Sequence, residues 1–342
     1  MTVQTPFFSI IVPAHNVAPY LERCVRSILE QPGPDREVLL IEDASTDGTP
    51  ALCDLLSRQD SRIRVIHCTH RDVSLTRNEG LDAARGSYIG FADGDDALAP
   101  TFFEALEPIL RRNHPDLVRF GCTNVTDDGH REAQLLPYPE GPALGDDLRQ
   151  QQLDAICPAN VLDYSAPRLM AVWAGVFRRE FLGSLRFEAQ KTVLSEDYLF
   201  LLTALFRAEK IYHLKQPLYE YGIHTGSLSH TPKPRMMERK RVLMERYLQV
   251  LPQGDAEIDC RLRNFYIDSV YDCFVNAALQ APSRREALAL IRPLLRDPQL
   301  HRCLRENKER IAGRKQQVIC ALMRRKMAGV MLALYRIMSK NK

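Results

Sequence analysis

The stretch LTRNEGLDAARGSYIGFADGDDAL, residues 75–98, carries the pattern that decides the fold. Its first part has the spacing of a helix, and we expect Gly86 to end that helix, as glycine commonly does. An apolar segment at residues 87–92 then predicts a buried strand. Three aspartates come directly after it: Asp93, Asp95 and Asp96. Carboxylates this close repel one another, so the cluster predicts a compensating cation or a set of amide donors.

The same alternation of short apolar runs and amphipathic stretches extends from residue 7 to about residue 120. It predicts an open α/β sheet of parallel strands with covering helices. The candidate strands are FFSIIV (7–12), EVLLIE (37–42), RIRVIH (62–67), SYIGFA (87–92) and DLVRFG (116–121). Ligands of such sheets bind at the carboxyl ends of the strands, where the loops PAHN, DASTDGT and DGDD are predicted to lie. Two of these loops are acidic, which indicates a cation or a donor-rich ligand.

The rest of the chain predicts a second half of this domain and a helical region. Residues 122–170 are irregular, whereas residues 170–230 are ordered again and include a helix that Ser195 could cap. From about residue 235 the pattern is helical. We therefore expect a domain over residues 1–230, in halves of 1–121 and 122–230, and a helical C-terminal region over residues 231–342.

Composition limits the class of protein. The nine cysteines include no Cys-x-x-Cys pair, and we expect reduced thiols in a cytoplasmic protein. The N-terminus has no basic leader, so we expect no secretory signal, and no apolar stretch approaches the roughly 20 residues of a spanning helix. The net charge of +3 is uneven, since residues 301–342 contain 12 Lys and Arg against 2 Glu. The remainder is net acidic, which disfavours a nucleic-acid partner.

The C-terminal segment, residues 314–340, predicts an amphipathic helix. Its apolar face comprises Ile319, Met323, Met327, Val330, Met331, Leu334 and Met338. Its cationic side comprises Arg314, Lys315, Arg325, Arg336 and Lys340. Such a helix could lie on an anionic membrane surface, or it could pack on its own domain or on a second subunit. The sequence leaves both interpretations open, and a homo-oligomer is compatible with it.

Six fragments in this order resemble the inverting family-two nucleotide-sugar glycosyltransferases of the GT-A fold, a Rossmann-like, mostly parallel sheet flanked by helices. The fragments are SIIVPAHN, EVLLIEDASTDGT, LTRNEGLDAARGSYIGFADGDDAL, VFRREFL, RFEAQKTVLSEDYLF and LYEYGIHTGSLS. They cover residues 7–121 and 170–230 and leave the C-terminal region unmatched. In place of a lysine that the family often carries after Trp173, this chain has Gly175.

The resemblance implies a nucleotide site and a metal site. The nucleotide-binding residues would be Pro13, Ala14, His15, Asn16, Asp43, Arg77, Asp93 and Gly94. The first loop would wrap the base, Asp43 would accept from a base N–H, and Arg77 would lie near the ribose or the diphosphate. Mn²⁺ or Mg²⁺ would be held by the Asp-x-Asp signature, with Asp93 toward the ribose and Asp95 toward the metal. Further metal candidates are Asp96, because the doubled aspartate leaves the assignment open by one position, and His224.

The resemblance also implies a general base. The family's base is the Asp of a Glu-Asp pair before a helix, here Glu196 and Asp197. The chemistry agrees, since a divalent ion neutralises a leaving sugar diphosphate and an inverting displacement needs a base for the acceptor hydroxyl.

Each of these residues also has an ordinary structural interpretation. DGDD and DASTDGT are typical of turns. Carboxylates in a first helical turn are favoured by the helix dipole, which would lower the pKa of Asp197, so burial or a neighbouring Glu would have to counter this effect if Asp197 is a base. A single histidine such as His224 is commonly structural. Trp173 could stack on an acceptor sugar or lie in the core.

The sequence therefore predicts a metal-dependent inverting glycosyltransferase. We expect a UDP-sugar donor and a glycan or lipid-linked acceptor, in bacterial surface polysaccharide synthesis on the cytoplasmic side of the membrane. The alternatives are a nucleotidyltransferase, although PAHN lacks the glycine-rich basic phosphate loop, and a non-catalytic nucleotide-sugar-binding or scaffold module.

Overall fold

The computed structural model describes residues 5–164, 169–223 and 235–339, with side chains up to residue 337. The chain divides into two compact units. The α/β unit comprises the described part of residues 1–151 and 167–227, and the helical unit comprises that of 152–166 and 228–342. The domain boundary near residue 230 stays a prediction, because two compact units need not be domains that fold independently.

The α/β unit contains a ten-stranded mixed sheet. Its strands are β1 (Phe8–Ala14), β2 (Arg36–Asp43), β3 (Ile63–Cys68), β4 (Tyr88–Phe91), β5 (Ala97–Leu98), β6 (Leu117–Thr126), β7 (Arg131–Gln134), β8 (Gly141–Ala143), β9 (Gly175–Arg178) and β10 (Ile211–Ile223). The order is β3-β2-β1-β4-β9-β6-β10-β5, with β7 beside β6 and β8 beside β10. The first four strands in this order are parallel, as are β6 and β10. The predicted GT-A fold with a helical C-terminal region is confirmed, and all five predicted strands are present.

Thirteen helices occur in the described residues. They are α1 (Ala18–Leu29), α2 (Thr49–Gln59), α3 (Val73–Ala83), α4 (Phe102–Asn113), α5 (Gly145–Ile156), α6 (Arg179–Leu182), α7 (Glu196–Arg207), α8 (Met236–Val250), α9 (Ala256–Gln280), α10 (Arg284–Arg296), α11 (Pro298–Glu306), α12 (Arg314–Arg324) and α13 (Ala328–Ser339). Short 3-10 helices lie at Val172–Ala174 and Lys308–Arg310.

Two glycines set the position of α3, the helix that carries Arg77. A Cβ on Gly80 would lie 2.4 Å from Ile11 Cγ2 of β1, so glycine lets α3 approach the sheet closely. The expectation for Gly86 was wrong in its reason, because α3 already ends at Ala83 with Ala84 in an extended conformation. A Cβ on Gly86 would lie 2.4 Å from the backbone nitrogen of Ser9, and this close approach is what requires glycine there.

The C-terminal segment differs from the predicted single helix. It forms α12 and α13, separated by a turn in which Lys326 has a φ of +55°. The predicted apolar face is divided, since Met323 and Met331 are buried in the core of the helical unit whereas Val330 is exposed. The side chain of Met338 and residue Lys340 lie outside the described residues. No described helix is long and apolar enough to cross a membrane.

Candidate active site

The loops that follow β1 and β2 interlock at the carboxyl edge of the sheet. His15 Nδ1 donates to the carbonyl of Asp43 at 2.6 Å, and Asn16 Oδ1 accepts from the Thr46 N–H at 2.8 Å. Asn16 has a φ of +54°, a conformation that asparagine tolerates better than most residues. The predicted base-binding residues thus occupy one edge, with Pro13 and Ala14 buried and His15 and Asn16 exposed.

Asp43, at the end of β2, holds the beginning of α3. Its Oδ1 accepts from the Arg71 N–H at 2.8 Å, and its Oδ2 accepts from the Asp72 N–H at 3.0 Å and from Thr76 Oγ1 at 2.7 Å. Burial acts to raise the pKa of Asp43, but these donors outweigh it and lower the pKa below its ordinary value. Asp43 is therefore an ionised acceptor, and its contact with a nucleotide base stays a prediction.

Arg77 joins parts of the site that are far apart in the sequence. Its guanidinium donates to Asp93 Oδ1 at 2.9 Å and to Asp197 Oδ1 at 2.7 Å, and it lies 3.7 Å from Glu196 Oε1. The side chain is 4% exposed. Burial alone would lower its pKa, but the surrounding carboxylates outweigh burial and raise it, so Arg77 stays charged. The structure thus places Arg77 between the acidic loop and Asp197.

The DGDD loop is anchored through Asp96 and Tyr219 of β10. Asp96 is buried, and its carboxylate accepts from the Tyr219 hydroxyl at 2.6 Å and from the Gly222 N–H at 2.7 Å. The same hydroxyl accepts from the Asp93 N–H at 2.9 Å. Burial and the charges of Asp93 and Asp95 raise the pKa of Asp96 to about 8. Asp96 is thus fully engaged in holding the loop, and its contact with a metal ion stays a prediction.

Gly94 is buried, and the aspartates on either side of it are the partly exposed residues of this loop. A Cβ on Gly94 would lie 2.9 Å from Val17 Cγ2, so glycine allows the loop to pack beside the β1 loop. The Asp93 side chain is 28% exposed and Asp95 is half-buried. Of the three aspartates, these two are therefore accessible to a ligand.

Glu196 and Asp197 lie in the first turn of α7. Ser195, the predicted cap, makes no side-chain capping hydrogen bond and has a φ of +64°. Burial raises the pKa of Glu196. Burial, opposed by Arg77 but reinforced by Glu196 and Asp93, raises the pKa of Asp197 to about 7. Burial and the neighbouring Glu196 thus act in the direction that is needed to counter the helix dipole.

Sequence reasoning missed Asn78 and Tyr219. Asn78 Nδ2 donates to the Phe187 carbonyl at 2.9 Å and its Oδ1 accepts from the Phe187 N–H at 2.8 Å, which fixes the segment before α7 to α3. A further bond on this side joins the Asp72 carboxylate to the Gln190 N–H at 3.1 Å. The available signal for Asn78 in the sequence was its position directly after Arg77, a predicted nucleotide-binding residue.

Trp173 packs face to face with two tyrosines of β10. Its ring centroid lies 4.3 Å from that of Tyr219 and 5.5 Å from that of Tyr221, with interplanar angles of 12° and 17°. Trp173 is 8% exposed. This arrangement favours the core interpretation of Trp173, and the alternating tyrosines in YEYG were the available signal for it.

Two carboxylates of the DGDD loop are the candidate ligands for a divalent metal ion. Among the described residues, no three His, Cys, Asp or Glu side chains converge to hold a metal ion by themselves. Asp93 and Asp95 offer the oxygen donors that Mg²⁺ and Mn²⁺ prefer, and both side chains are partly exposed. These residues fit a divalent ion that takes its remaining ligands from elsewhere. His224 lies outside the described residues.

A mostly parallel sheet with interlocked polar loops and an arginine-bridged acidic cluster at its carboxyl edge defines a GT-A type of domain. The chain belongs to glycosyltransferase family 2, and the family model for glycosyl transferase family 2 matches residues 9–173. Over 237 residues the chain is 34% identical to the glycosyltransferase EpsJ of Bacillus subtilis strain 168. This match covers 68% of this chain and 66% of EpsJ, slightly less than two thirds of that relative's length.

Solved structures share the fold. The chain is similar to residues 1–349 of S. aureus TarS in complex with UDP-GlcNAc, with a TM-score of 0.68, 17% identity and coverage of 98% of this chain and 92% of that one. It is also similar to the mannosyltransferase PcManGT of Pyrobaculum calidifontis in complex with GDP-Man and Mn²⁺, with a TM-score of 0.52, 16% identity and coverage of 98% and 88%. At these identities the similarity concerns the fold.

Proposed function

We propose that this protein transfers a sugar from a nucleotide donor to an acceptor hydroxyl, with inversion and with the help of a divalent metal ion. The observation that carries the proposal is the Arg77 bridge. One buried guanidinium contacts Asp93 in the acidic loop and Asp197 at the start of α7, at 2.9 Å and 2.7 Å. A donor-side carboxylate and a candidate base therefore lie beside one cation, close enough together to serve a single reaction site.

The donor would be a UDP-sugar. The loop from Pro13 to Asn16 and the Asp43 carboxylate would receive the base, with Arg77 near the diphosphate. The structural neighbours differ in nucleotide, since the TarS structure contains UDP-GlcNAc and the PcManGT structure contains GDP-Man. We choose UDP because the TarS fold matches with the higher TM-score.

Asp93 and Asp95 would hold Mn²⁺ or Mg²⁺, with Gly94 keeping the loop close to the nucleotide site. The ion would supply neutralisation of the charge that develops on the leaving diphosphate. Asp96 would support these ligands through Tyr219, and His224 stays a predicted further ligand. The PcManGT structure contains Mn²⁺, which supports an ion of this kind.

Asp197 would act as the general base. Its Oδ would take the proton of the acceptor hydroxyl as that oxygen bonds to the anomeric carbon and the bond to the diphosphate oxygen breaks. A carboxyl with a pKa of about 7 is well matched to this task near neutral pH. Glu196 would help to keep that pKa high, and Arg77 would orient the carboxylate.

The acceptor would be a glycan or a lipid-linked sugar, in bacterial surface polysaccharide synthesis at the cytoplasmic face of the membrane. This setting follows from the family resemblance. Membership of a glycosyltransferase family argues against the nucleotidyltransferase alternative, and the non-catalytic alternative is decided by the following experiment.

The test combines donor binding with transfer. UDP is titrated calorimetrically into the full chain with Mn²⁺ and then with EDTA, for the wild type, Asp95→Ala, Asp197→Asn and the surface control Asp82→Ala. We expect metal-dependent binding that Asp95→Ala loses and the other two variants keep, and transfer from a UDP-sugar that Asp197→Asn abolishes. If UDP binds equally well in Mn²⁺ and in EDTA, the proposed metal dependence is contradicted. If Asp197→Asn transfers the sugar at the wild-type rate, the proposed role of Asp197 as the base is contradicted.

A further inference from the structure

Helix α13 presents an apolar stripe to solvent. Met327, Val330, Leu334 and Ile337 are 38%, 40%, 41% and 61% exposed. Val330, Leu334 and Ile337 recur at spacings of four and three residues, which places them on one side of α13, and Met327 lies directly before the first residue of that helix. The other side packs into the helical unit through Ala328, Met331 and Leu332, which are at most 4% exposed. Packing within the helical unit therefore accounts for only one of the two apolar sides.

Cations accompany this stripe. Residues 310–342 contain nine Lys and Arg and neither Asp nor Glu. Three of the cations are exposed: Arg324 is the last residue of α12, and Arg325 and Lys326 lie in the turn that leads into α13. Arg324 donates to the Leu304 carbonyl at 2.9 Å. No ion pair between described residues involves any of the three, so no carboxylate in the described part of the chain is paired with them.

We propose that this C-terminal surface, formed by Met327, Val330, Leu334 and Ile337 together with Arg324, Arg325 and Lys326, binds an anionic lipid bilayer. The apolar side chains would enter the boundary between headgroups and acyl chains, and the cations would contact lipid phosphates. The observations that support this surface do not depend on the proposed reaction. Together with that reaction, binding to a bilayer would give the protein access to a lipid-linked acceptor.

A second copy of the chain is the other occupant that an apolar stripe could accept, and charge argues against it. If two stripes met in parallel, the cations at 324–326 of one copy would face those of the other. If they met antiparallel, these cations would face the C-terminal end of α13, a segment that contains Arg336 and no Asp or Glu. No acidic residue in the segment could compensate either arrangement, and facing like charges oppose association. A phosphate-rich bilayer offers the complementary charge.

The apolar stripe is tested by cosedimentation of the full chain with vesicles. One preparation is phosphatidylcholine, and the other is phosphatidylcholine mixed with phosphatidylglycerol. We expect binding to the mixed vesicles that declines as NaCl is added. The double variant Leu334→Ser, Ile337→Ser should weaken that binding about tenfold or more. Leu55→Ser on α2, which replaces a leucine that is 46% exposed, is the matched control and should bind like the wild type.

The cations are tested by Arg325→Ser with Lys326→Ser, with Arg58→Ser on α2 as control. The double variant should lose about tenfold or more in binding to the mixed vesicles and show a weaker dependence on NaCl. Circular dichroism confirms that each variant is folded, and calorimetric UDP titration reports the nucleotide site separately from vesicle binding.

Three results would overturn the proposal. The wild type does not sediment with mixed vesicles, or both double variants bind as the wild type does. Alternatively, analytical ultracentrifugation shows a wild-type dimer that Leu334→Ser, Ile337→Ser converts to a monomer while vesicle binding is absent. That last result would assign the stripe to a contact between copies.

Discussion

At the scale of single residues, Arg77 is the group on which the proposed chemistry depends most. Its guanidinium has separate nitrogens for Asp93 and for Asp197, and its side chain is 4% exposed. A lysine would keep the charge but would present one compact ammonium in place of a planar fork. The two carboxylates would then lose their common support.

We therefore expect Arg77→Lys to lower kcat about 100-fold, because small displacements of a base or a donor ligand have effects of that size. The measurement is the rate of transfer at saturating donor. The control is Arg64→Lys, which alters the ion pair between Arg64 of β3 and Glu37 of β2. Transfer by Arg77→Lys within a few fold of the wild type would show that charge alone is sufficient.

The pKa of Asp197 leads to a prediction about pH. Since the pKa is raised to about 7, the carboxyl of the free protein is protonated in acid and ionised in alkali. A base must be ionised to act, so kcat/KM should fall about tenfold per pH unit below about pH 7 and level off above it. A profile that stays flat down to about pH 5 would exclude a base with this pKa.

At the scale of elements, the first turn of α7 combines function with a cost in stability. When folding raises the pKa of a carboxyl group, the folded state is most stable relative to the unfolded state while that group is protonated. It is least stable once the group is ionised in both states. The contribution of Asp197 is therefore highest below its unfolded pKa and is lost as the pH rises toward about 7. The same burial that prepares the base thus weakens the fold at neutral pH.

Asp197→Asn removes this dependence. The free energy of unfolding of the variant minus that of the wild type should therefore increase by about 1–3 kcal/mol from about pH 5 to about pH 8. Urea denaturation in EDTA at the two pH values measures it, with Asp82→Asn as a surface control. A difference between variant and wild type that is the same at both pH values would contradict the raised pKa.

Strand β10 supports the DGDD loop through the Tyr219 hydroxyl, which bonds to Asp96 and to the Asp93 N–H. Tyr219→Phe keeps the ring against Trp173 but removes both bonds, so we expect a loss of about 1–3 kcal/mol in stability and weaker metal-dependent UDP binding. Tyr221→Phe, on the same strand and also stacked on Trp173, is the matched control. Equal behaviour of the two variants in denaturation and calorimetry would show that the hydroxyl of Tyr219 has no special role.

At the scale of the whole molecule, the sequence predicted what local patterns can encode. The five apolar runs of the first half became strands because each is a short buried segment between amphipathic stretches. The antiparallel strand β9, which lies between β4 and β6, was not predicted, because its pairing joins segments far apart in the chain. Strand β7 was missed because its residues are polar and mostly exposed.

The candidate site was predictable in its residue types but not in its connections. The acidic loop and the Glu-Asp pair stand out in the sequence, whereas the contact of Arg77 with Asp197 spans 120 positions and leaves no local pattern. The break between α12 and α13 was also hidden, because the turn at Lys326 contains neither glycine nor proline and the apolar repeat continues across it.

The bonds between α3 and the segment before α7 have a consequence for recombining members of this family. Asp72, Arg77 and Asn78 each bond to a residue between Phe187 and Asp197, so two distant stretches of sequence form one set of matched partners. A chimera that takes residues 1–121 from one parent and residues 122–230 from another would separate these partners. Recombination between relatives therefore has to transplant residues 72–78 together with residues 187–197.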